Sequence, residues 1–91
     1  MDKENEQIIE EKMFEKEYAE FVIRVGLKIG YYRRAGNMTQ KELATAIKLS
    51  RTHISQIESR NEDYVPSLKS LLKISKTLGV KVYKFLDVED D

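Results

Sequence analysis

Apolar residues recur at intervals of three and four along much of this chain. Phe14, Tyr18, Phe21, Val22, Val25, Ile29 and Tyr32 form one such series, the spacing that lines one side of a helix. It predicts a first helix of about five turns or more, with Ile8, Ile9 and Met13 extending it toward the N-terminus. Gly26 and Gly30 interrupt the series. Each costs about 1 kcal/mol relative to alanine inside a helix, so they either permit close packing of a neighbour or mark a bend. The helix should stop near Ala35, Gly36 and Asn37, where Gly or Asn can turn left-handed. No stretch alternates polar and apolar, and hairpin dipeptides are few, so no strand is expected. The chain reads as all-α.

Local signals divide the rest. Thr39-Gln40-Lys41-Glu42 is a capping box: the threonine hydroxyl accepts from the Glu42 amide while the carboxylate reaches back to the Thr39 amide. A second helix therefore starts at Gln40 and runs to about Ile47. Ser50 is the next N-cap candidate and starts a third at Arg51. Pro66 and Ser67 announce a fourth, over 68–78. Its expected buried stripe is Leu68, Leu71, Leu72, Ile74, Ser75 and Leu78, with Gly79 as its stop. Val80, Val82, Tyr83, Phe85 and Leu86 suit a short fifth helix, followed by a frayed end over 87–91.

Only three residues separate the second and third helices. So short a link makes the two cross steeply, as in a helix-turn-helix. The crossing has its apolar parts: Leu43 and Ile47 one turn apart, Ile54 and Ile57 opposite them, Leu49 plugging the turn and the small Ala44 at the closest approach. At 100° per residue, Ile54 and Ile57 fix the buried direction of the third helix. Thr52, Ser55, Gln56 and Ser59 then point outward, and Arg51 lies on the flank of the first turn. That inventory suits base edges in a major groove, where Arg pairs with guanine O6/N7 and Gln with adenine N6/N7. An ordinary solvated face more often carries Glu and Lys pairs.

The segments "IGYYRRAGNMTQKELA", "SRTHISQIE" and "PSLKSLLKISKTLGV", in this order and spacing, resemble the Cro/C1-type (XRE-like) family of phage repressors and related bacterial regulators. The resemblance spans about two-thirds of the chain, from Ile29 to Leu86. It implies a compact five-helix lambda-repressor-like DNA-binding domain, used as a homodimer on a palindromic operator. Carried over, it gives base contacts to Arg51, Thr52, Ser55 and Gln56. Phosphate contacts fall to Gln40 at the start of the second helix and to Ser59, Arg60 and Asn61 after the third. Arg33 and Glu58 match a structural ion pair between the first and third helices. The chain departs from the family at three places. Lys48 holds a turn position usually given to glycine, at a cost of about 1 kcal/mol if its φ is positive. Glu62 and Asp63 stand where the family favours basic or neutral residues. Residues 1–20 have no counterpart in the minimal domain.

Charge sharpens this division. The net formal charge is zero, but residues 1–20 hold eight acids and three bases (net −5), residues 21–78 hold eleven bases and four acids (net +7), and residues 79–91 hold two bases and four acids (net −2). A basic block attracts polyanions whatever the total. The expected organisation is an acidic N-terminal helical extension (1–20), a helix-turn-helix DNA-binding domain (21–86) and an acidic tail (87–91). A second reading makes the chain a protein-binding adaptor or antitoxin, with its protein partner on the acidic N-terminal helix. With no cysteine and one histidine, a metal site is not expected, and no cofactor is implied. His53 reads as a phosphate neighbour or a surface residue. Tyr32 belongs to the core stripe, while Tyr31, Tyr64 and Tyr83 are left between core edge and stacking surface. No nucleophile–base set or phosphate loop suggests an enzyme. No apolar run approaches the roughly 20 residues of a membrane span, and no signal peptide is evident, which favours the cytoplasm. The function expected is sequence-specific transcription regulation, as a repressor or autoregulator.

Overall fold

A computed structural model describes residues 3–88. Five helices follow in order: α1 (Lys3–Ala35), α2 (Gln40–Ile47), α3 (Arg51–Ile57), α4 (Leu68–Leu78) and α5 (Tyr83–Leu86). There is no strand among the described residues, so the all-α, five-helix expectation holds.

α1 is one unbroken helix of 33 residues. Glu4 and Glu6 in its first turn and Arg33 and Arg34 in its last complement the helix dipole. It ends where Asn37 turns left-handed, with φ of 57°, and the Met38 amide donates to the Arg33 carbonyl at 3.1 Å. The two glycines serve packing rather than a bend. A Cβ on Gly26 would collide with the carbonyl oxygen of Ile57, and one on Gly30 would stand 3.1 Å from the Glu58 carboxylate.

The core lies beneath the C-terminal half of α1. Ile29, Leu43, Ile54, Ile74 and Phe85, one from each helix, are fully buried. Ala44, Ile47, Ile57 and Leu71 fill in around them. Tyr32 is half-buried against this cluster and meets Phe85 edge-on with ring centres 5.7 Å apart. Tyr64 also packs on the core, whereas Tyr31 and Tyr83 are exposed. Ser67 caps α4 by accepting from the Ser70 amide, and Gly79 closes it with φ of 68°.

Several burial expectations are corrected. The α1 stripe is buried only from Val22 onward; Phe14, Tyr18 and Phe21 are exposed, the last two on the rim of a groove that Leu68 and Leu86 also line. Ile9 and Met13 do not extend the stripe, since helical geometry turns them to the far side from Val25. On α4, Leu71, Ile74 and Ser75 are buried, but Leu68 is 83% and Leu72 50% exposed; both sit on the edge of the wheel, away from the direction that Leu71, Ile74 and Ser75 define. Leu86 is likewise exposed while Phe85 is sealed. The end is not frayed at residues 87–88: Val88 is buried, and Arg24 donates to its carbonyl at 2.6 Å. Residues 1, 2 and 89–91 lie outside the described residues.

Candidate nucleic-acid interface

α2 and α3 are each shaped by their own caps. Thr39 Oγ1 accepts from the Glu42 amide at 3.0 Å, and Glu42 Oε1 accepts from the Thr39 amide at 3.0 Å. Hydrogen bonding of the carboxylate to Thr39, its backbone amide first and its side chain second, holds the Glu42 carboxyl below its ordinary range. α2 ends on Lys48, left-handed with φ of 62°, and the Leu49 amide donates to the Ala44 carbonyl at 2.9 Å. Leu49 packs on the core from the turn. Ser50 then accepts from the His53 amide at 3.0 Å and starts α3.

This places the two sides of α3 in different surroundings. Ile54 and Ile57 face the core. Arg51, Thr52 and His53 are exposed, and Ser55 and Gln56 are half-buried and open to solvent on one side. Ser59 is exposed and its hydroxyl donates to the Gln56 carbonyl at 2.7 Å. In the loop beyond, Arg60 is exposed with φ of 63°, and Asn61 Oδ1 accepts from the Asp63 amide at 2.9 Å. Glu62 and Asp63 are both exposed there.

The far end of α3 is anchored by a buried polar network. Arg33 Nε donates to Glu58 Oε2 at 2.8 Å and Arg33 Nη2 to Glu58 Oε1 at 2.9 Å. Arg33 Nη1 also donates to the Met38 carbonyl at 2.8 Å. Both side chains are under a tenth exposed. The hydrogen bonds to Glu58 raise the Arg33 pKa further, with burial opposing them, so the guanidinium stays charged. Gln40 Nε2 donates to Glu58 Oε1 at 3.1 Å. The structure thus brings Gln40, Arg33 and Glu58 together and ties α1, α2 and α3 at one point. The Gln40 link to Glu58 escaped the reading of the sequence. Eighteen residues separate the pair, and no local spacing rule connects them. Gln40 keeps a half-exposed side chain at the start of α2.

Among the described residues no group of three or more His, Cys, Asp or Glu could hold a metal ion, and no helix is long and apolar enough to cross a membrane.

The family model described as helix-turn-helix matches residues 29–85. The chain is 44% identical over 64 residues to an uncharacterized HTH-type transcriptional regulator of Methanocaldococcus jannaschii, an alignment covering 70% of this chain and 94% of that protein. It is 33% identical over 67 residues to the HTH-type transcriptional regulator SinR of Bacillus licheniformis, covering 74% of this chain but 60% of SinR.

Proposed function

The chain belongs to the helix-turn-helix family, and from that premise we propose that it is a sequence-specific regulator of transcription that binds duplex DNA as a homodimer. One α3 enters the major groove in each half-site, with the half-sites about one helical turn apart. The observation that carries this reading is the contrast across α3: Arg51 and Thr52 open to solvent, Ile54 and Ile57 in the core. Arg51 and Gln56 are the bidentate readers, and Thr52 and Ser55 add single hydrogen bonds. Gln40, Ser59, Arg60 and Asn61 hold phosphates and set register. The Gln40 amide is oriented for this by its bond to Glu58. Arg33 neutralises Glu58, so no bare carboxylate repels the backbone there. The basic block over 21–78 supplies the attraction to phosphate. Residues 1–20 form an extension, 21–86 the DNA-binding domain and 87–91 an acidic tail. Acting in the cytoplasm, such a domain represses or autoregulates by occupying a site, since it needs no catalytic chemistry.

Selection from a random duplex library tests the reading, with a palindrome as the expected enriched site. On that site Arg51→Ala and Gln56→Ala should each lose about 1–3 kcal/mol of binding and relax specificity at one base pair. Binding that both substitutions leave unchanged would remove α3 as the reading element.

A further inference from the structure

The N-terminal half of α1 leaves the domain uncovered. Every residue over 3–18 is exposed, yet the segment carries Ile8, Ile9, Met13, Phe14 and Tyr18. Large apolar side chains on a segment that nothing covers call for a partner. A second exposed surface lies at the foot of this arm. Val65, Leu68 and Leu86 border a groove of about 270 Å³ that Tyr18 and Phe21 also line. Leu68 stands out from it at 83% exposure, with Leu72 beside it at 50%. Among the described residues, ten of the twelve exposed large apolar side chains lie on the arm or around this groove; Tyr31 and Tyr83 do not. Scattered single residues would need no explanation, but Phe14, Tyr18 and Phe21 share one side of the helix and lead into the groove, and such a run marks an interaction surface.

We infer that the N-terminal half of α1 is a dimerisation arm that lies along the Leu68–Leu72 edge and groove of a second copy of this chain. Two features identify the occupant. The projecting apolar arm and the apolar groove belong to the same chain, so a two-fold exchange fills both at once, as a self-complementary interface does. The charges also match. Residues 3–20 carry seven acids against three bases, whereas α4 carries Lys69, Lys73 and Lys76 and no acid. At 100° per residue, Lys69 and Lys76 fall within about 60° of Leu72, so a basic rim borders the apolar edge. An arm laid on its partner's α4 sets carboxylates against these lysines. Two arms laid on each other would set acid against acid, which is unfavourable. The inference rests on the two-copy assembly proposed above, but not on duplex binding.

The test uses the full chain. Leu68→Glu and Phe14→Glu alter exposed positions, so circular dichroism should match the wild type while sedimentation equilibrium reads the assembly. A wild-type dimer whose dissociation constant rises by about 100-fold or more in each variant is the expected result. The chain has no cysteine, so mixing Phe14→Cys with Leu68→Cys chains should give a disulfide-linked heterodimer. Cross-linking of Phe14→Cys to itself in preference would mean arm-on-arm packing and overturn the inference. A wild-type dimer indifferent to both glutamates would overturn it and leave the two-copy assembly standing. A wild-type monomer at about 100 μM would overturn both. Binding of Leu68→Glu to a single half-site duplex reads α3 separately, because that contact needs one copy only.

Discussion

The two halves of α1 share one helix and both carry large apolar side chains, and the fold treats those side chains oppositely. Over 22–33 the helix buries Val22, Val25, Ile29 and Arg33, with Gly26 and Gly30 brought against the end of α3. Over 3–21 it carries six large aromatic and aliphatic residues in nineteen, against seven in twelve over 22–33, and buries none of the six. Helical spacing creates an apolar side; whether that side is covered depends on which other elements reach it. α4 and α5 help seal that side from Val22 onward and only border it at Tyr18 and Phe21.

Substitutions in the two halves should sharpen this contrast. The largest effect is expected at Arg33. Arg33→Ala leaves Glu58 buried with Gln40 as its remaining side-chain partner and should cost about 3–5 kcal/mol, whereas Lys16→Ala on the exposed half should stay within about 0.5 kcal/mol; urea unfolding midpoints measure both. Ile29→Ala should follow at about 2–5 kcal/mol, against about 0.5 kcal/mol or less for Phe14→Ala at concentrations where the chain is monomeric. Equal costs for that pair would show that the arm folds back onto its own domain. Gly26→Ala gains helix propensity but forces a methyl into the Ile57 carbonyl, and a net loss of about 1–3 kcal/mol is expected in thermal melts. The smallest effect concerns pH. The Glu42 carboxyl is held below its usual value of 4.5, so its contribution to stability is present above that value and lost as pH falls through the lowered one. Glu42→Gln should flatten that part of the acid limb, lowering stability slightly at neutral pH and leaving it almost unchanged below the lowered value, as thermal melts across pH would read.

Local chemistry was readable from the sequence. Thr39 with Glu42, Ser50, Ser67 and Gly79 each act within four residues of themselves, and the helix boundaries they imply are those observed. Burial was readable only where tertiary neighbours agreed with periodicity. Leu68 and Leu72 have the spacing of core residues and sit on the open edge of α4. Val88 looked like part of a polar tail and is packed, because Arg24 is placed to hold its carbonyl. The pairing of Arg33 with Glu58 spans 25 residues, so family resemblance implies it where periodicity alone offers no route. The Gln40 bond to the same carboxylate had neither source. The outward side of α3 follows from the positions of Ile54 and Ile57, which periodicity alone marks as inward.

That α1 runs from Lys3 to Ala35 without a break has a consequence for evolution by insertion and deletion. Each residue gained or lost near Ala19 would swing everything before it by 100° and shift it by 1.5 Å relative to the guanidinium at the other end. The phase between the protruding rod and the globule is thus a count of amino acids, and length changes there are tolerable only in steps close to whole helical turns.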